Sequence, residues 1–426
     1  MLLRDRFDPR YFDADALFRY HAGWAGLSHT RASTATLIDR TGTLREVGPD
    51  VPRIDWSHGR PALRLEPERT NWIRNPRCEG AVIGVVGSGG ALPTFWPMDT
   101  TSGLTLSVEA TGIDAGLPYI DLRIQGTPTG ATVLQYFEGA TQIAAAPDEV
   151  WTGSVYARLV GGSLSGVTDV SLRIAEYQSG GGILRSSQQT IDLANGRHSH
   201  TATMGADTGQ VRHGLALSVT PGQAVDVTLR IGGPQLERSA VASSLILPPS
   251  GSPAASSRAL DVLTAPWAHG LISFTGYARF IETGGAQLAN ATVASWFGAG
   301  SGEIWLRSST STPTYFITVR DSRGMAAQVQ TSPGVTTQVG QLVELMPQVE
   351  VSSQGVRARL IQALDGGVPV ASSWTGYVQA DWVPTTLRLA SRAIGSNQGQ
   401  MDLLDLIVLR GAGWTVDQVR AYLPEW

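Results

Sequence analysis

Lysine is absent from the 426-residue sequence: all 32 residues in its lysine-plus-arginine count are arginine. That absence removes the phosphate-gripping Gly-Lys-Ser/Thr loop, Schiff-base catalysis and a lysine general base. Cysteine occurs once, as Cys78, so an internal disulfide and a cysteine-built zinc or iron–sulfur site are both excluded. With no histidine near it in the sequence, Cys78 reads as a small packed residue. Charged residues make up only 16% of the chain and the net charge is −4, which leaves no basic field to attract nucleic acid. No apolar run reaches the roughly 18 residues of a membrane-spanning helix, so no membrane insertion is expected. The start MLLRDRFDPRYF is charged within six residues and lacks an apolar core. Synthesis in a bacterial cytoplasm without a signal peptide is therefore expected.

What the chain does have is 49 Gly, 23 Pro and 12 Trp, a composition of short strands and turns. TLSVEA, YIDLRI, WTGSVYARLV, DVSLRIAEY, LALSV and DVTLRI place apolar residues two apart, the period of a half-buried strand. GLISFTGYARFI, GEIWLRSST, TYFITVRD, VRARLIQAL and TTLRLAS continue the pattern after a stretch rich in Ser, Ala and Pro. The expected fold is all-β: two antiparallel β-sandwich domains after a small N-terminal segment, with one short C-terminal helix. FDADALFRYHAG reads as a short helix between Asp13 and Gly23, and ATLIDRTGTLREV as a hairpin turning at Gly42. In GWTVDQVRAYLPEW, Thr415 and Gln418 form a capping box, and Val416, Val419 and Leu423 share a stripe. The expected boundaries are an attachment and oligomerisation segment over 1–75, a first sandwich over 76–248, a semi-rigid linker over 249–260 and a second sandwich over 261–426.

The triplet Leu-Arg-Ile occurs at 122–124, 172–174 and 229–231. Alternation sends its Leu and Ile inward, so Arg123, Arg173 and Arg230 could share an outer sheet face and grip an acidic ligand, or stand there solvated.

Three stretches carry a family resemblance. RASTATLIDRTGTLREVGPDVPRIDW with LRLEPERTNWIRNP is similar to an N-terminal signature of phage fibre proteins. GGPQLERSAVASSLILPPSGSPAASSRALDV resembles the strand-to-linker ending of carbohydrate-binding jelly-roll modules in such proteins. GQMDLLDLIVLRGAGWTVDQVRAYL resembles the closing strand and helix of concanavalin-like, laminin-G-like lectin domains. Together they resemble receptor-binding fibres and head spikes of tailed phages and of phage-like gene transfer agents. The resemblance implies a non-enzymatic virion protein that binds host capsular polysaccharide. It also implies attachment to a spike base, capsid or tail protein through the N-terminal segment, and a homo-oligomer, with a trimer favoured. Ile54, Trp56, Trp72 and Ile73 would suit burial against a neighbour. A polysaccharide depolymerase and a structural decoration without ligand are the alternatives.

No Gly-x-Ser-x-Gly elbow or His-Glu-x-x-His pair is present. His198 and His200 share a strand face but lack a third metal ligand, and Asp402 and Asp405, three apart, are expected on opposite faces of their strand. No cofactor is expected, although Asp114 and Asp121 are candidate ligands for a structural calcium. Sugar sites in β-sandwiches combine aromatic faces with forked polar contacts. On that ground the candidates are Trp96, Tyr119, Arg123, Arg173, Tyr177, Trp305, Arg307, Tyr315 and Arg320, while Trp151, Trp296, Trp414 and Trp426 read as core.

Overall fold

The computed structural model describes residues 28–420, apart from 140, 195, 268–269, 286–287, 289, 299, 310, 325–327 and 391–398. The expected helix near Asp13, and Leu423 and Trp426 at the other end, lie outside the described residues. Among the described residues the fold is all-β, its strand pairs antiparallel except for Gly84–Val86 with Gly89–Gly90, and it has one short helix, Val416–Arg420. Among the described residues no helix is long and apolar enough to cross a membrane.

The chain divides into two compact units, and the division differs from the expected one. One unit joins residues 28–42 and 46–68 to 259–420; the other holds 43–45 and 69–258. In the first unit, a seven-stranded sheet runs in the order Ser28–Thr30, Val262–Pro266, Thr386–Leu389, Thr292–Phe297, Glu303–Ser308, Tyr315–Arg320 and Gln328–Thr331. A second runs Val370–Ala371, Gly355–Leu364, Leu342–Ser352, Phe274–Glu282, Met401–Arg410, Ala62–Leu65 and Ile54–Asp55. Residues of both sheets make one apolar core, with Trp267, Phe274 and Trp296 in mutual ring contact.

The early chain is thus not a free-standing segment. Leu63 and Leu65 alternate into that core beside Met401 and Leu403. Arg64, between them, faces the other way and forks onto Asp402 at 2.9 and 2.7 Å. Of the residues proposed for contact with a neighbour, Ile54 and Trp56 are half-buried in this unit. Ile73 is fully buried in the other unit, where Trp72 stays 41% exposed against Trp151.

The helix forms as its sequence dictates. The Gln418 amide N–H donates to the Thr415 hydroxyl at 3.2 Å and the Gln418 side chain accepts from the Thr415 N–H at 2.8 Å. Val416 and Val419 then cover Tyr277, Met346 and Ile361. The strand before it contains a surprise. A bulge at Leu404 interrupts the register between Leu403↔Phe280 and Asp405↔Arg279. The extra residue rotates the strand, so Asp402 and Asp405 fall on one face, not on opposite ones. Both are fully buried and held by arginines, Asp402 by Arg64 and Asp405 by Arg279.

The second unit is a two-layer sandwich. Its larger sheet runs Arg197–Thr203, Val150–Ser163, Val225–Glu237, Leu117–Gly126, Thr105–Asp114, Gly84–Val86 and Gly89–Gly90. The five-stranded layer runs Ile183–Thr190, Val167–Tyr177, Gln210–Val219, Thr132–Tyr136 and Met98–Thr100. Ile120, Leu122, Ile124, Leu172, Ile174, Val227, Leu229 and Ile231 fill the space between, the inward sides of the three Leu-Arg-Ile strands. Cys78 is buried and its thiol is pushed up to about 12 by that burial, a packed and unreactive residue.

His213 is fully buried in this unit, its ring nitrogens 3.2 and 3.3 Å from the carbonyls of Arg173 and Ser154. Its pKa is lowered to about 4, chiefly by burial. The unfolded chain takes up this proton below about pH 6.5 and the folded chain only below about 4, so the stability is complete above 6.5 and falls as the pH drops between the two. The full loss is about 3 kcal/mol. Denaturant midpoints at pH 7 and pH 4.5 will differ less in His213→Leu than in the parent.

The Ser-, Ala- and Pro-rich stretch packs on the second unit. Leu245, Ile246 and Leu247 are buried. The Asn71 side chain donates to the carbonyls of Pro234 and Ile246 at 3.2 and 3.1 Å and accepts from the N–H groups of Ile73 and Leu236 at 3.0 and 3.1 Å. Arg77 reaches the Pro248 carbonyl at 2.6 Å, and Gly251 N–H reaches Glu79 at 2.8 Å. Ser256–Arg258 then pairs as a strand with Arg69–Asn71. The segment expected as a linker over 249–260 is therefore docked on its own unit as far as Arg258. Asn71→Ala leaves several buried backbone groups without partners and will cost about 3 kcal/mol. Broad-specificity proteolysis followed by mass spectrometry will find cuts within 239–258 in the variant and not in the parent.

Candidate functional site

Strand alternation in the second unit builds a polar outer face on the larger sheet. On Leu117–Gly126 the outward residues are Tyr119, Asp121 and Arg123; on Val225–Glu237 they are Asp226, Thr228 and Arg230. The register sets Asp121 directly opposite Arg230, and Arg230 opposite Arg158 on its other side. Directly opposed charges on one face interact most strongly. Arg230 forks onto Asp121 at 2.8 and 2.9 Å and reaches Asp114 at 2.6 Å, which also accepts from Arg158 at 2.5 Å. Its guanidinium lies 3.7 Å from the centre of the Tyr119 ring. Arg123 forks diagonally onto Asp226, both bonds 2.8 Å.

Where these pairs meet, the face is hollow. A groove of about 390 Å³ is lined by Glu109, Asp121, Arg123, Val160, Gly161, Gly162, Asp226, Thr228 and Arg230. Two bulges make it. The register slips at Glu109 between Val108 and Ala110, and at Val160 between Leu159 and Gly161; such bulges bend strands and re-aim side chains. Two glycines clear the space above Asp226 and Thr228. A Cβ on Gly162, whose φ is +70°, would stand 2.1 Å from the Asp226 carbonyl oxygen, and one on Gly161 would crowd Thr228 at 3.3 Å.

The electrostatics favour fixed charges. Hydrogen bonds from Arg230 and Arg158 hold Asp114 below the usual carboxylate range, and those from Arg123 do the same for Asp226. Arg230 is raised by Asp121 and Asp114. These carboxylates therefore accept hydrogen bonds at neutral pH and do not act as general acids. A face of paired donors and acceptors suits ligands rich in hydroxyls, which both donate and accept. Of the two calcium candidates, Asp121 accepts from Arg230 through both oxygens and Asp114 accepts from Arg230 and Arg158 through one; no group of three or more His, Cys, Asp or Glu side chains able to hold a metal occurs among the described residues.

The other expected contact residues are dispersed. Arg173 does not join Arg123 and Arg230, because its strand belongs to the five-stranded layer. There its Nε donates to the Tyr136 hydroxyl at 2.9 Å, while Arg212 stacks 3.8 Å from the Tyr136 ring and donates to the Tyr177 hydroxyl at 3.1 Å. Arg173 and Tyr177 thus meet around a Tyr136 that is itself buried. In the first unit, Arg307 and Arg320 lie 5.0 and 5.1 Å from the Trp305 ring. All three are buried, with Trp305 donating to Thr292 at 3.0 Å and Arg307 to Gln330 at 2.7 Å.

Trp96 and Tyr315 are core residues. Trp96 packs edge-on to Phe137 at 4.8 Å, and Tyr315 is buried with its hydroxyl on Glu282. A loop Trp and a strand-opening Tyr gave no sign of this, since the apolar neighbours that enclose them are distant in sequence. His198 and His200 each serve a local bond, to the Ala157 carbonyl at 3.2 Å and the Ser187 hydroxyl at 2.8 Å.

No family model and no curated protein sequence matches the chain. Among solved structures, the N-terminal CBM22-1–CBM22-2 tandem domain of Xyn10C from Paenibacillus barcinonensis is similar over 78% of this chain and 99% of that chain. The identity is 8% and the TM-score 0.24, a likeness too slight to carry an argument about fold or ligand.

Proposed function

We propose that the chain is a non-enzymatic polysaccharide-binding protein and that the groove between Arg123–Asp226 and Arg230–Asp121 receives the sugar. The observation that carries this reading is the set of pre-paired Arg and Asp side chains around a hollow cleared by Gly161 and Gly162. Polar groups already fixed by one another lose little entropy when a sugar hydroxyl joins them. Hydrogen bonds from Arg123 hold the Asp226 carboxyl at the groove below its usual range, which makes it a poor general acid, and glycoside cleavage needs one.

On the resemblance of the three sequence stretches to phage and gene-transfer-agent fibres, the polymer is host capsular polysaccharide and the chain a fibre or head spike on a virion-like particle. The likeness to phage proteins rests on those stretches alone. The same resemblance suggests attachment to the particle through the early chain, and a homotrimer; light scattering that returns a monomer would contradict that assembly. Incubation with purified capsule tests the main reading. Retention of the protein with no shortening of the polymer is expected. Release of oligosaccharides would replace binding with depolymerisation, and no retention would refute both.

A further inference from the structure

We propose a second anion-recognising saccharide site, on the first unit, built from Trp374, Tyr377, Arg357 and Arg359. Arg357 and Arg359 alternate outward from Gly355–Leu364 opposite Glu350 and Gln348 of Leu342–Ser352. The segment carrying Trp374 and Tyr377 runs beside that strand, its backbone bonded to it through Ser372 N–H to Leu360 O, Thr375 N–H to Ala358 O and Val378 N–H to Val356 O, each at 2.8 or 2.9 Å. The four side chains are brought together by these backbone bonds, which makes the cluster pre-organised.

Arg357 stands between the two rings, 4.7 Å from the centre of Trp374 and 5.0 Å from that of Tyr377. Its charge is answered: it forks onto Glu350 at 3.1 and 3.0 Å, and Glu350 also accepts from the Tyr377 hydroxyl at 3.1 Å. Arg359 is different. It lies 4.9 Å from the Trp374 centre, and its Nε donates to Gln348 at 2.6 Å. Among the described residues no carboxylate pairs with it, and its two terminal nitrogens have no protein acceptor. Covering Trp374 would need only one guanidinium; the second brings a charge beside a half-buried indole that no described carboxylate neutralises.

A planar guanidinium with two free donors matches a carboxylate. The adjoining aromatic edges match the apolar face of a pyranose ring. The ligand class is therefore a uronate: a sugar whose ring packs on Trp374 and Tyr377 while its carboxylate accepts from Arg359. This site does not depend on the groove of the other unit.

Calorimetric titration of the full chain with polygalacturonate, and with its methyl ester, tests the assignment. The free acid is expected to bind at least 5-fold more tightly than the ester, whose carboxylates are masked. Arg359→Gln and Trp374→Ala are each expected to weaken the acid by 5-fold or more. In the doubly substituted Arg123→Gln, Arg230→Gln chain the preference for acid over ester is expected to persist. Equal affinity for acid and ester, parent-like binding by Arg359→Gln, or loss of the acid preference in the groove variant would each overturn the proposal. Arg359→Gln, a surface change with an unaltered melting midpoint, decides the matter if Trp374→Ala fails to fold.

Discussion

Replacing Asp261 by alanine will lower the stability of the unit that contains it by about 3–5 kcal/mol, the usual result of removing one partner from a buried ion cluster. Asp261 is fully buried and accepts from His29 at 3.1 Å, Arg31 at 3.1 Å, Arg53, and the Glu66 backbone N–H at 3.0 Å. Arg53 also reaches Glu66 at 2.6 Å. Without the Asp261 carboxylate, Arg31 and Arg53 remain buried beside less negative charge, with Glu66 the carboxylate still bonded to Arg53. The cluster ties residues 29–66 to position 261, so the loss falls on the joint that makes the early chain part of this unit. A melting midpoint lowered by about 10 °C is expected in calorimetry. A shift below about 2 °C would mean that the cluster adds little to holding the early strands.

Arg230→Gln will weaken polysaccharide binding by about 30-fold, or about 2 kcal/mol, while Arg123→Gln will weaken it less. The difference comes from connectivity. Arg230 fixes Asp121, Asp114 and Tyr119 together, and its side chain is 21% exposed. Arg123 fixes only Asp226, in a pair with side chains 36% and 54% exposed, where solvent screens the charges. Losing Arg230 therefore frees the Asp121 carboxylate and the Tyr119 ring, leaves Asp114 held by Arg158 alone, and removes donors from the groove. Titration with capsule oligosaccharide measures both variants; equal losses would show that the pairs contribute independently of this connectivity.

Much of the scaffold was legible because strand alternation is a local signal. In DVTLRI, the inward Val227, Leu229 and Ile231 and the outward Asp226, Thr228 and Arg230 lie as period-two reading requires. The capping box at Thr415 was equally local. What escaped the reading depends on insertions and on distant partners. One extra residue at Leu404 moved Asp405 onto the face of Asp402, and bulges at Glu109 and Val160 shaped the groove, yet none has a compositional mark. Arg173 carries the same triplet as Arg123 and Arg230, but the layer to which its strand belongs is set by pairing, not by the triplet. The Ser-Ala-Pro stretch suggested a joint because its own residues make few demands. Its backbone is instead held by Asn71, Arg77 and Glu79, more than 160 positions earlier. Trp374 was passed over because a Ser-Ser-Trp-Thr-Gly loop shows no strand pattern, although its neighbours on Gly355–Leu364 complete a cation–aromatic cluster.

The most direct test of the central claim is a crystal of the protein soaked with a capsule oligosaccharide. Sugar density over Gly161 and Gly162, within hydrogen-bonding distance of Arg123, Asp226, Thr228 and Arg230, is the predicted result. An ordered oligosaccharide elsewhere, with that groove empty, would contradict it.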